Sequence, residues 1–194
     1  KTNNTIKAIV CVHVFGLSLN IKSLVKLAKK YNILVIEDAA EALGSYNSNK
    51  HLGTYSDIGI LSFNGNKIIT TGGGGALLTN KKSFAVRAKK LSTINKKENK
   101  WNYDYAGIGY NYRMPSLNAA LGCAQLNKLN SFLIKKRKLH KLLENELKEF
   151  SNKVQILKER KKCKSNYWLI ALKLRNINIK ERDYYDQSFK TYTF

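Results

Sequence analysis

The sequence predicts an α/β protein built on parallel strands, and three observations carry that reading. Residues 7–14 (KAIVCVHV) read as a strand, 33–36 (ILVI) as a short run rich in β-branched residues that suits a strand buried on both faces, and 57–63 (DIGILSF) as a second buried strand. A helical pattern of Ile21, Leu24, Val25 and Ala28 separates the first two runs, and strand, helix, strand is the parallel crossover unit. Each run also closes on a group able to do chemistry: His13, Asp38 and Ser62. In open parallel sheets, ligands sit beyond the carboxyl ends of the strands.

The remaining elements follow in order. Asn20 is placed to cap the first helix, which ends near Tyr31 and Asn32. Residues 45–53 read as a polar loop. Asn64-Gly65-Asn66 is a turn signal, and residues 72–75 are four consecutive glycines leading into a strand at 76–79. Residues 82–91 are helical, with Phe84, Ala85 and Ala88 as the buried side. Residues 92–106 lack periodicity and read as a long loop. Beyond Pro115, Ser116 opens a long helical stretch. Leu126, Leu129 and Leu133 form one apolar stripe on it, and Leu139, Leu143, Leu147 and Phe150 another. The heptad is not sustained, so the stripes belong to a core and not to a coiled coil. Residues 167–174 (YWLIALKL) read as a strand.

The stretch from Val35 to Asn80 holds the densest chemistry. Asp38 stands where a ligand would sit, although an Asp before Ala39-Ala40 also suits a helix N-cap. Lys67 follows a tight turn and precedes an apolar segment, five residues after Ser62. Partial desolvation of that kind makes an amine a candidate nucleophile. The glycine run permits backbone conformations closed to other residues. It could cradle an anion or simply turn the chain, and its spacing matches neither a P-loop nor a dinucleotide fingerprint.

The formal net charge is +22, from 35 Lys and Arg against 13 Asp and Glu. Such a balance raises nucleic acid as a partner. Here lysines are spread along the chain beside many Asn and Ile, a pattern that an AT-rich coding bias produces as readily, and the cluster at 135–141 (KKRKLHK) reads as a solvated helix face. No nucleic-acid partner is expected. Three distant cysteines, Cys11, Cys123 and Cys163, form neither a metal spacing nor a disulfide framework and read as reduced thiols of a cytoplasmic protein. No metal is expected. No apolar run approaches the roughly 18 residues of a spanning helix, so no membrane is expected either.

The order EDAAEALGS, SFNGNK, TTGGGGALLTN and GYNYRMPSLNAALGCAQL resembles the pyridoxal-phosphate-dependent nucleotide-sugar aminotransferases of the DegT/StrS family. The collinear resemblance runs from about Lys7 to about Leu174. SFNGNK with four glycines is most similar to the branch that aminates UDP-linked 4-keto-6-deoxy-N-acetylhexosamines. The resemblance implies the fold type I of aspartate aminotransferase. Residues 1–125 would be the C-terminal part of the large cofactor-binding domain, and 126–194 a connecting helix and part of a small domain. Family members are longer, so the resemblance also implies a fragment whose activity alone is open.

The same resemblance assigns roles. Lys67 matches the lysine that holds pyridoxal 5'-phosphate as a Schiff base and then moves a proton between cofactor and sugar. Asp38 matches the acid that pairs with the pyridine nitrogen, and Ser62 a ligand of the cofactor phosphate. Asn111 matches an asparagine that reaches the neighbouring subunit's cofactor, which implies a homodimer with shared sites. Position 41, where Glu41 stands, is often Gln or His in the family and contacts the cofactor ring; an acid there needs a proton or a cationic partner. A related dehydratase branch carries His where Lys67 stands, and the lysine favours transamination. His13 matches the family's V-H-x-x-G segment and is a candidate substrate contact, with a core histidine as the alternative. The substrate implied is a nucleotide-linked keto sugar with an amino-acid donor, glutamate by resemblance, in surface glycan (lipopolysaccharide) biosynthesis. The competing reading is an inactive fragment serving as a dimerisation or interaction module.

Overall fold

The computed structural model describes residues 6–97, 101–175, 177 and 180–183. The elements in order are β1 (Ala8–Val12), α1 (Ile21–Lys30), β2 (Leu34–Asp38), β3 (Tyr46–Asn47), β4 (Lys50–His51), β5 (Ile58–Ser62), β6 (Gly75–Leu78), α2 (Lys82–Ser92), α3 (Ser116–Leu126), α4 (Leu129–Glu146), β7 (Val154–Ile156), β8 (Cys163–Lys164) and β9 (Leu172–Leu174). The central sheet has the order β1-β2-β5-β6. β1 and β2 are parallel, with Val12 opposite Asp38, and β2 and β5 are parallel, with Asp38 opposite Ile60. The crossover expected from the sequence is the β1-α1-β2 unit.

β6 returns antiparallel, pairing Ser62 with Gly75. The intervening loop is closed by the Phe63 N–H donating to the Gly74 carbonyl at 2.9 Å. Close approach explains two of the glycines. A Cβ at Gly75 would press on the Leu61 carbonyl oxygen, and one at Gly59 would overlap the backbone of Gly53.

One face of the sheet is covered and the other is open. Cys11, Val35 and Leu61 pack with Ile21 and Ala28 of α1 and with Ala39, Ala42 and Leu52 into the buried core. Paired residues of neighbouring strands share a face. Val10, Val12, Ile60 and Leu77 therefore lie together on the other one, where they are 62, 45, 39 and 46% exposed. The expected burial on both faces is thus met on one face only among the described residues.

Other expectations are revised by tertiary contacts. Asn20 stands at the start of α1 but its side chain caps nothing. Residues 45–53 are not an open loop. β3 and β4 form a hairpin whose two central residues, Ser48 and Asn49, both have positive φ, and β8 adds to its edge. Helix α2 forms where expected but none of its residues is fully buried: Phe84 and Ala88 are half-buried and Ala85 is exposed. The long helical stretch is broken between Leu126 and Leu129, with Leu133 as its buried apolar anchor and Leu126, Leu139 and Phe150 exposed.

The segment expected as one strand at 167–174 splits. Only Leu172–Leu174 pairs, with β7, whereas Tyr167 (φ 47°) and Trp168 turn inward and are each 7% exposed. Residues 184–194, which the resemblance placed in the small domain, lie outside the described residues, as do 98–100 in the long loop.

Candidate functional site

Lys67 sits on the turn that opens the loop between β5 and β6. The turn is set by the Lys67 N–H donating to the Asn64 carbonyl at 3.1 Å, a bond the Asn-Gly-Asn signal anticipates. Helix α3 fixes the far side of the loop: Gln125 Oε1 accepts from the Thr70 N–H at 3.0 Å, and Asn118 Nδ2 donates to the Thr71 carbonyl. The Lys67 side chain is 14% exposed. Its Nζ lies 4.0 Å from Oε1 of Glu41 and 3.9 Å from the centroid of the Trp168 ring.

Glu41 therefore has a cationic partner, one of the two alternatives, with a proton, that the resemblance implied for an acid at this position. Its Oε2 also accepts the Phe15 N–H at 2.6 Å, and Phe15 adopts φ 56° to present that donor. Asp38 ends β2, and its Oδ1 accepts the Ala40 N–H at 3.1 Å. The bond turns the chain after the strand; residues 39–44 form turns and no helix, so Asp38 is not a helix cap. Ser62 ends β5, one strand over, half-buried, with Oγ accepting the Asn64 N–H at 3.3 Å. Strand pairing thus sets Asp38 and Ser62 at the carboxyl ends of adjacent parallel strands, on the edge from which the Lys67 loop departs.

His13 is placed elsewhere. It is fully buried, and its Nε2 lies 3.0 Å from Oε1 of Glu37. Cys11 is opposite Glu37 and Val12 opposite Asp38, so Glu37 faces the core while Asp38 faces the open side. His13 joins Glu37, away from Asp38. Glu37 also accepts from the backbone N–H groups of Gly53, Tyr55 and Ser56 and from the Ser56 hydroxyl, at 2.8–2.9 Å. Burial pushes the Glu37 carboxyl up, but the His13 bond and these donors outweigh it and hold the carboxyl below its usual range.

Asn111 is exposed, and its backbone bridges Thr93. The bridge, together with the Tyr110 N–H donating to the Leu91 carbonyl and the Tyr112 N–H to the Ser92 carbonyl, ties the segment to the end of α2.

Sequence reasoning missed the contribution of residues 165–168. Asn166 is fully buried and its Nδ2 donates to the carbonyls of Glu41 and Leu43 at 2.8 and 2.9 Å. Ser45 and Ser165 hydroxyls both donate to the Gly16 carbonyl, at 2.8 and 3.0 Å. Gly16 must be glycine here, since φ is 78° and a Cβ would overlap the Asn166 side chain. Trp168 is brought over Lys67 by this clamp. An aromatic followed by aliphatics reads as a strand, and no local pattern announces a clamp 100 residues away.

The donor set fits pyridoxal phosphate. A half-buried acid suits a protonated ring nitrogen, a hydroxyl at a strand end suits a phosphate, and a lysine amine stands on the adjoining loop. Among the described residues no group of three His, Cys, Asp or Glu side chains gathers as a metal site, and no helix is long and apolar enough to cross a membrane.

The model of the DegT/DnrJ/EryC1/StrS aminotransferase family matches residues 1–191. GDP-perosamine synthase of Escherichia coli O157:H7 is 39% identical over 181 residues, which are 93% of this chain and 49% of that protein. UDP-4-amino-4,6-dideoxy-N-acetyl-beta-L-altrosamine transaminase of Campylobacter jejuni is 37% identical over 77% of this chain and 40% of that one. Among solved structures, Helicobacter pylori PseC, an aminotransferase involved in the biosynthesis of pseudoaminic acid, superposes with a TM-score of 0.80 at 31% identity, over 88% of this chain and 46% of that one. The chain spans about half the length of the curated relatives it matches.

Proposed function

Because this chain belongs to the DegT/DnrJ/EryC1/StrS aminotransferase family and has the fold of its sugar aminotransferases, we propose that it carries the lysine-bearing part of a pyridoxal-phosphate-dependent aminotransferase. The substrate is a nucleotide-linked 4-keto-6-deoxy sugar and the amino donor an amino acid, glutamate by family resemblance. The product feeds surface glycan synthesis in the cytoplasm. Matches to both a GDP-sugar and a UDP-sugar enzyme support the sugar class over any one nucleotide.

The observation that carries this reading is the placement of Lys67, held between Glu41 and Trp168 on the loop beside the strand ends that bear Asp38 and Ser62. When bound, the cofactor supplies an electron sink that stabilises negative charge on the carbon losing its proton. Lys67 Nζ would hold the cofactor and, once released from it, would take up and return that proton. The Asp38 carboxylate would keep a proton on the ring nitrogen by electrostatic attraction. The Ser62 hydroxyl would donate to a phosphate oxygen. Glu41 neutralises and orients the Lys67 ammonium from one side. His13 acts through the core, by orienting Glu37, which braces the turn of Gly53, Tyr55 and Ser56. Asn111 serves the site of a second subunit in a homodimer.

Borohydride reduction of the chain with pyridoxal phosphate, followed by peptide mass mapping, tests this. A single adduct on Lys67 is expected. Scattered adducts or none on a chain folded by far-UV circular dichroism would overturn the enzyme reading in favour of an interaction module.

A further inference from the structure

Trp168 is tied to the same turn that carries Lys67. Its indole Nε1–H donates to the carbonyl of Asn66, the residue before Lys67, at 2.7 Å. Its backbone N–H donates to Asn166 Oδ1 at 2.9 Å, and its carbonyl accepts from the Lys136 ammonium at 2.9 Å. The ring is thus anchored at both ends and is 7% exposed. Its face meets Lys67 Nζ at 3.9 Å from the centroid, while Glu41 Oε1 stands 4.0 Å from the same nitrogen. A cavity of about 410 Å³ opens beside them, lined in part by Lys67, Ile68, Gln125, Phe132 and Trp168.

We propose that Trp168 is a positioning residue for Lys67. Its indole face and the Glu41 carboxylate together form a resting place for the free ammonium, which Lys67 occupies when the chain holds no cofactor. The inference rests on Lys67 being the reactive amine. The ring face carries the negative part of the aromatic quadrupole and attracts a cation, the more so where water is largely excluded. An aliphatic side chain of similar bulk would cover the lysine equally well and attract it far less. The Nε1–H bond to Asn66 keeps the ring in step with the turn, so the resting place moves with the residue it serves. A flexible four-carbon stem is thereby confined near its working position, and less conformational freedom is lost when it reacts.

The test is competitive acetylation of the cofactor-free chain with acetic anhydride. Lys67 labelling is read by mass spectrometry against exposed Lys89, with folding checked by far-UV circular dichroism. Trp168→Leu is expected to raise Lys67 labelling about 3- to 10-fold, and Trp168→Phe, which keeps a π face, to stay within about twofold of the parent. Equal labelling of the Leu and Phe variants would overturn the proposal, since the ring would then be a cover only. Should Trp168→Leu not fold, Glu41→Gln serves, because it removes the other half of the resting place without touching the ring. It is expected to raise Lys67 labelling at least about twofold, and an unchanged value would likewise overturn the proposal. These measurements use no cofactor. An adduct mapped away from Lys67 would defeat the proposed function, while the labelling series separately decides the role of Trp168.

Discussion

His13 and Glu37 form a pair with no solvent exposure, their Nε2 and Oε1 atoms 3.0 Å apart on the covered side of the sheet. The imidazole donates through Nε2, and its Nδ1 is buried with no hydrogen-bond partner among the described residues. Glu37 is the hub, since it also holds the backbone of Gly53, Tyr55 and Ser56. Its folded pKa is depressed, so its contribution to stability is fully present above the ordinary glutamate value of about 4.3 and is lost as pH falls through the lower folded value. Glu37→Gln is expected to lower stability by about 3 kcal/mol at neutral pH, since an amide cannot accept all these donors and adds buried N–H groups. It should also flatten the acid limb of the stability curve. Urea unfolding at several pH values checks both, and an unchanged acid limb would remove Glu37 from this role.

Asp38 faces the open side of the sheet, one residue from Glu37 in sequence and opposite in orientation. Asp38→Asn keeps the Ala40 turn bond available but removes the charge that holds a proton on the cofactor ring. The adduct on Lys67 is expected to persist while amino transfer falls about 100-fold or more, the scale of a positioned acid–base group. The measurement is a coupled transamination assay beside adduct mapping. Transfer at the parent rate would contradict the assignment.

Asn111 lies on an exposed segment tied to the end of α2. If it serves a second subunit, mixing inactive Lys67→Ala and Asn111→Ala chains restores activity, because each mixed dimer contains one site with neither change. Random exchange restores roughly a quarter of the sites. Failure to recover activity in demonstrated mixed dimers would place Asn111 outside a shared site.

Cys11 and Cys123 differ in environment. Burial, reinforced by Glu37, pushes the Cys11 thiol up to about 11, and its Sγ–H donates to the Ile36 carbonyl. Cys123 is exposed on α3. Iodoacetamide at pH 8 is therefore expected to alkylate Cys123 at least about 100-fold faster than Cys11, since the thiolate is the reactive form and access is also blocked. Peptide mapping over time reads the ratio, and comparable rates would mean that the β1 core opens readily.

The sequence by itself determined the β1-α1-β2 crossover, the strand carrying Ser62, the turn before Lys67, and Lys67, Asp38 and Ser62 as candidate chemical groups. These are local matters: β-branched runs, helical spacing and turn residues act within a few positions of themselves. The position of His13 was not legible, because a histidine past a strand end can face either side. Only pairing of Cys11 with Glu37 sends it to the core. The open sheet face was equally hidden, since an apolar strand reads alike whether one face is covered or two. Above all, the tertiary structure alone decided what surrounds Lys67. Glu41 gains its cation, and Trp168 its place over that cation, through Asn166 and the two serines that bond Gly16. Those bonds join residues more than 100 positions apart, except within the Gly16–Ser45 pair, and hydrogen bonds of such separation depend on how elements pack and leave no periodic trace in the chain.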